Sequence, residues 1–214
     1  MNGTLAAVAG IENTSNLFRS MLLDMAARLG TDPDWHAAVM SVESAKTFSP
    51  SVRNPNGGAT GLIQFMPATA RRLGTTTDEL ASMSAVEQLE FVERYYAPFA
   101  GRMHSVEDVY MATFMPNQVG KGPDNVISVE GEAVYEANKG FDHNGDGTIT
   151  NGEVGATARN VLVAAAGRPR IEVTDEEGGS GGPLANSSLP VAEPSPASGS
   201  RAKCSDEDTY PYDD

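Results

Sequence analysis

The chain has 214 residues, 15 Lys+Arg against 29 Asp+Glu, a formal charge of −14 and 40% hydrophobic residues. That length suffices for one or two domains with a buried core, and no run of about 18 apolar residues offers a membrane span. The acidic balance excludes sequence-independent nucleic-acid binding, which needs Lys and Arg against phosphate; a single cysteine, Cys204, excludes a disulfide framework and a multi-cysteine zinc site. Met1 to Ile11 lack a basic n-region, so no secretory signal is expected there.

In chain order, Leu17, Met21, Met25 and Leu29 recur every fourth position, with Phe18 and Leu22 widening the stripe. This spacing predicts a helix from Ser15 that Gly30 stops. Asp32-Pro33-Asp34 is a helix start with a capping carboxylate and a proline in the first turn, opening a helix from about Pro33 to Ala45. Lys46 to Gly61 is irregular, with Pro50, Pro55, Gly57, Gly58 and Gly61. Long loops inside a compact domain are functional or mobile. Asp78 and Glu79 read as favourable charge at a helix start after Thr77. Ser84 with Glu87 forms a capping box ahead of Val86, Leu89, Val92, Tyr96 and Phe99, and Ser105 with Asp108 opens a segment to Met115. Strand-period alternation is hardly seen. The expected fold class is all-α.

Glu43 falls in the last turns of the second helix, on one face with His36 and Met40. A carboxyl group among apolar neighbours is biased toward its protonated form, as a general acid for glycosidic cleavage requires. From Ala38 to Thr69 the chain reads AVMSVESAKTFSPSVRNPNGGATGLIQFMPAT. Glu43-Ser44, Phe48-Ser49-Pro50 and Gly58-Ala59-Thr60-Gly61-Leu62-Ile63-Gln64-Phe65-Met66-Pro67-Ala68-Thr69-Ala70 carry a specific pattern. It resembles the lytic transglycosylases of the goose-lysozyme-like superfamily, the SLT domain, in particular those of bacteriophage virion proteins. The likeness continues through Leu80, Met83, Glu87-Gln88-Leu89 and Tyr95-Tyr96, over roughly residues 15–125.

The resemblance implies that Glu43 is the catalytic acid and base, and that Ser44 and Gln64 bond the carboxylate or the substrate. Gly58 and Gly61 fit a backbone lying close to sugar. One of Tyr95 and Tyr96, taken as Tyr95, lines the cleft while the other packs in the core. Where many relatives carry Ala-Tyr-Asn, this chain has Ala112-Thr113-Phe114-Met115-Pro116, which puts Phe114 in the place of the tyrosine. Ordinary glycosidases need two carboxyl groups, about 5–5.5 Å apart when retaining and about 6.5–9.5 Å when inverting. Glu43 is the only acid between Ala38 and Ala70. The family's reaction needs one: it cleaves the MurNAc–GlcNAc bond of peptidoglycan and closes a 1,6-anhydro ring. Hydrolysis by a muramidase, and a structural tail component with reduced activity, are the alternatives.

Asp142-His143-Asn144-Gly145-Asp146-Gly147-Thr148-Ile149-Thr150-Asn151-Gly152-Glu153 fits the EF-hand loop, with helices expected on both sides (Gly131 to Lys139, Glu153 to Ala166). Asp142, Asn144, Asp146, Thr148, Thr150 and Glu153 are the expected ligands of one structural Ca2+. A lone loop staples helices rather than working as a paired sensor. His36, His104 and His143 have no transition-metal spacing. Residues 171–214 hold 10 acids and 2 bases in a Gly/Ser/Pro-rich sequence, which reads as a solvating tail or as a segment that orders on a partner through Tyr210 and Tyr212. The expected divisions are therefore an arm (1–14), the lysozyme-like domain (15–127), the calcium-binding segment (128–170) and the tail (171–214). The resemblance also implies a place in the virion, at a phage tail among tail or tail-tip proteins, with action on the host periplasm and cell wall.

Overall fold

The computed structural model describes residues 3–55 and 57–174; the tail from residue 175, with Cys204, Tyr210 and Tyr212, lies outside them. The fold is mostly helical. Helix α1 (Asn16–Leu29) starts where the Ser15 hydroxyl accepts the Phe18 amide and ends on Gly30 at φ 68°. Helix α2 (Pro33–Glu43) is capped by Asp32, which accepts the Asp34 amide. Next come α3 (Pro67–Arg72), α4 (Thr77–Ser82), α5 (Ala85–Tyr96) and α6 (Val106–Phe114). Reciprocal capping boxes, Thr76 with Glu79 and Ser84 with Glu87, open α4 and α5. After α7 (Ala133–Asn138), α8 (Asn151–Ala165) begins on a third box, Thr150 with Glu153. It packs across α6 and α2.

The buried stripe of α1 is Phe18, Leu22, Met25 and Leu29, whereas Leu17 is exposed. In α2 the buried face is continuous: Ala37, Ala38, Val39 and Met40 have no exposed surface. His36 lies in that core, 2.8 Å from the Thr31 hydroxyl through Nε2 and edge-on to Tyr96. Burial pushes its pKa down to about 3. The unfolded chain therefore takes up the proton near pH 6.5 and the folded chain near 3, so stability is full above pH 6.5 and falls with acidification. Between about pH 6.5 and 5, the expected loss is roughly 1–2 kcal/mol. Urea denaturation at the two pH values checks it, and His36→Phe should flatten the dependence.

Among the described residues, four short strands accompany the helices. β1 (Gly3–Leu5) pairs antiparallel with β4 (Ile171–Val173), and β2 (Val126–Val129) with β3 (Thr148–Thr150). The first pair corrects two expected divisions. The arm is part of the core, because Leu5, Val8 and Ile11 are buried. The first residues assigned to the tail close the fold, with Val173 buried. Asp34 fastens this closure, accepting the Ala6 amide at 2.7 Å and facing the Arg170 guanidinium at 2.8 Å. Residues 128–170 likewise do not stand apart: Glu107 of α6 packs over Gly155 of α8 and pairs with Arg159.

Candidate active site

Glu43 is the last residue of α2 and is half-buried. The helix ends two residues short of the expected Ala45 because the backbone turns left-handed. Ala45, Lys46 and Phe48 have φ of 52°, 66° and 52°. Such a conformation costs an L-residue roughly 1–2 kcal/mol and persists only where the surroundings impose it. Ser44, fully buried, imposes part of it. Its hydroxyl donates to the Met40 carbonyl (2.6 Å) and accepts the Phe48 amide (2.9 Å). The N-terminal residues impose the rest. Ser41 donates to the Ala9 carbonyl at 2.6 Å, and the Asn13 amide reaches the Lys46 and Thr47 carbonyls at 3.5 and 3.4 Å. Gly10 lies so close that a Cβ there would stand 1.9 Å from the Lys46 oxygen.

The stretch that follows is bonded through its backbone. Gly61 donates to the Val52 carbonyl at 2.8 Å, Asn54 to Ala59 at 2.8 Å, and Thr60 and Phe65 exchange two bonds at 3.0 and 2.8 Å. Gln64, at φ 54°, is the fourth left-handed non-glycine residue among the described ones. All four lie between Ala45 and Gln64. The Gln64 amide donates to the carbonyls of Val52 (3.2 Å) and Gly61 (3.1 Å).

Several expected site residues serve the protein's own packing. Ser44 faces the core with its donor and acceptor committed to backbone, which positions the turn after Glu43. At Gly61 (φ +88°) the space of a side chain is filled by the Gln88 amide, 2.3 Å from an ideal Cβ. Its missing side chain thus makes room for Gln88. Tyr95 is 7% exposed; its hydroxyl donates to the Ala112 carbonyl at 2.8 Å and its ring stands edge-on to Phe65. Tyr96 is fully buried against Thr113. Phe114, 3% exposed, stacks on Tyr110 and meets Phe141 edge-on, so it belongs to the core. Gln88 and Gly10 were not expected at the site. Gln88 lies in the Glu87-Gln88-Leu89 continuation of the family pattern and nothing local marks Gly10; each matters through a partner more than 25 residues away in the chain.

The acids flanking Glu43 in the chain have structural partners. Asp34 holds Ala6 and Arg170, Asp78 pairs with Arg53, and Glu79 accepts from Thr75 and Thr76. Glu43 stands at a helix end, beside a strained turn and a glycine-containing loop. Residues 21–88 match the Transglycosylase SLT domain. None of the curated proteins compared with the chain matches it. The SLT match spans Glu43, the strained turn and the loop to Gln88. It supports a lysozyme-like domain, peptidoglycan as substrate and, at the level of the family, lytic cleavage of glycosidic bonds. No helix among the described residues is long and apolar enough to cross a membrane.

Beyond the SLT match lies the acidic loop. One Asp142 oxygen accepts the Gly145 and Asp146 amides (2.7 and 3.2 Å), and the other accepts the Gly147 amide (3.0 Å) and the Tyr135 hydroxyl (2.7 Å). The Tyr135 bond, helped by these amides, holds the Asp142 carboxyl below the usual range, and Tyr135 is pushed up to about 12 by its bond to Asp142. The Thr148 hydroxyl and amide lower Asp146. Glu153 caps α8 through Oε2, which accepts from the Thr150 amide and hydroxyl, while its Oε1 is buried with no hydrogen-bond partner. Ile149 is buried in β3, whose strand partner is β2 of the same chain. Among the described residues, no three His, Cys, Asp or Glu side chains are gathered into a metal-holding group. The donor set is nevertheless oxygen-only, and an orphaned buried carboxylate oxygen suits a hard cation.

Proposed function

We propose that the chain is a peptidoglycan lytic transglycosylase in which Glu43 is the sole acid and base. The observation that carries this is Glu43 itself. It is the only carboxylate between Asp34 and Asp78, half-buried at the end of α2 beside a cluster of left-handed residues. Protonated Glu43 gives its proton to the glycosidic oxygen as the bond from the muramic anomeric carbon breaks. The substrate's acetamido oxygen supports the cation that develops. Glu43, now a carboxylate, takes the proton of the 6-hydroxyl, whose oxygen bonds the anomeric carbon. No water is consumed, and one residue serves as acid and then base. Gln64, whose side-chain amide donates to the loop, is proposed to contact substrate, as the family resemblance implies. Purified cell walls cast in a gel test the reading: clearing by the wild-type protein supports it, and an intact gel contradicts it.

The phage-type resemblance of residues 38–70 supports a place in a phage tail, with tail or tail-tip proteins as partners and the host cell wall as target. Mass spectrometry of purified particles that lack the protein would refute that placement. Asp142, Asn144, Asp146, Thr148, Thr150 and Glu153 are proposed to hold one Ca2+. Bound there, the ion would neutralise the carboxylates of Asp142, Asp146 and Glu153. At calcium a hundredfold above its dissociation constant, folding gains about 2.7 kcal/mol, which raises Tm by roughly 5–10 °C for a domain of this size. Thermal unfolding with and without chelator measures the shift. Glu153→Gln, which keeps a helix-capping oxygen, should reduce it, and an unchanged Tm in both proteins would refute the site.

A further inference from the structure

We propose that Gln88 is the positioning residue of the active-site loop; this rests on the glycan-cleaving reading of Glu43. Gln88 lies on α5 with no exposed surface. A buried amide left without partners is costly, and this one is fully used. Its oxygen accepts the Leu62 amide at 2.7 Å. Its nitrogen donates to the Leu80 carbonyl at 2.8 Å and the Pro50 carbonyl at 3.2 Å. One side chain thus ties both legs of the loop after Glu43, at Pro50 and at Leu62, to the last turn of α4.

The chemistry selects glutamine. Glutamate has the length but lacks the two donors, asparagine is a methylene short, and leucine has the volume without a polar atom. Gly61 is matched to it, because a Cβ there would lie 2.3 Å from Oε1 and 2.6 Å from Nε2. From Gly61 the constraint passes on. The Gly61 carbonyl accepts from both the Gln64 backbone amide (3.1 Å) and the Gln64 side chain (3.1 Å), and the Gly61 amide donates to Val52 at 2.8 Å. The left-handed backbone of Gln64 is therefore imposed from Gln88 through two glycine-anchored bonds. A loop freed from this anchor relaxes at Gln64, and displacement of about 1 Å near reacting groups can lower a rate ~10²-fold.

The test compares Gln88→Leu, Gln88→Glu and Val173→Ala, the last a buried change in β4 away from the loop. All are measured well below their unfolding temperatures. On soluble glycan fragments both Gln88 variants should lose roughly 10–100-fold in kcat with little change in KM, while Val173→Ala keeps wild-type kcat. Without substrate, amide exchange at Leu62 should quicken at least about tenfold in the Gln88 variants, with α1 unchanged. Gly61→Ala should also lower kcat, and its added effect should shrink in a Gln88→Ala background, where the clash is gone. If the leucine variant does not fold, the isosteric glutamate variant gives the answer. Wild-type kcat in a folded Gln88 variant overturns the proposal, whatever the exchange. A wild-type protein without cleavage would remove the glycan reading, and Leu62 exchange would still decide Gln88: unchanged protection overturns its hold on the loop.

Discussion

Glu43→Gln should lower glycan cleavage by about 10²–10⁴-fold, the range expected when a general acid and base is removed. Glutamine keeps the volume and one acceptor oxygen of the side chain and removes the ionisable proton. The fold should be indifferent to the change. Glu43 is half-buried at a helix C-terminus, where negative charge opposes the helix dipole, so Tm should hold or rise slightly. The acids nearest in the chain are committed to Arg170, Arg53 and the Thr76 cap, so none stands ready to take over. Steady-state rates on soluble glycan fragments, with Tm beside them, check the expectation. A variant that cleaves at the wild-type rate would show that Glu43 carries no proton in the reaction.

The largest effect on stability is expected at Gly10. Its φ of +92° disfavours any side chain, and a Cβ would meet the Lys46 carbonyl carbon at 2.5 Å as well as its oxygen. The clash is with backbone, so no rotamer relieves it. Gly10→Ala should destabilise by roughly 2–5 kcal/mol, about 1–3 from overpacking and about 1–2 from the left-handed backbone. Gly74→Ala is the internal comparison, since φ is +81° there but no atom lies within 4 Å of the added carbon. It should show the backbone part alone. Urea denaturation of the two variants gives the difference. Equal losses would mean that the Gly10–Lys46 approach is not a constraint. Because Lys46 is one of the left-handed residues after Glu43, Gly10→Ala should also lower kcat, which Gly74→Ala should not.

What could be read from the sequence was whatever is decided locally. Ser15, Asp32, Ser84 and Ser105 start their helices as expected, because a cap is chosen within three residues of itself. Glu43 and the glycine pattern stood out because their spacing is specific over more than twenty residues. What the local pattern does not carry depends on distant partners. β1 and β4 pair across almost the whole described chain, so neither three-residue strand carries a signal of its own. Ser44 looked like a polar group at a site, yet its hydroxyl turns inward to Met40 and Phe48. Phe114 took the place of a catalytic-site tyrosine in the motif, but the segment carrying Phe141 covers it. Gln88 belongs to the family pattern in the sequence, but its hold on Pro50 and Leu62 shows only once the loop is folded onto it.

The most direct measurement of the central claim is the chemistry of the cleaved ends. Cell walls digested by the wild-type protein in heavy-oxygen water, then separated and weighed, distinguish ring closure from hydrolysis. Glu43 acting alone leaves 1,6-anhydromuramic ends that contain no oxygen from the solvent. Reducing ends labelled by the solvent would mean that water attacks the anomeric carbon, and the single-carboxylate account would be contradicted.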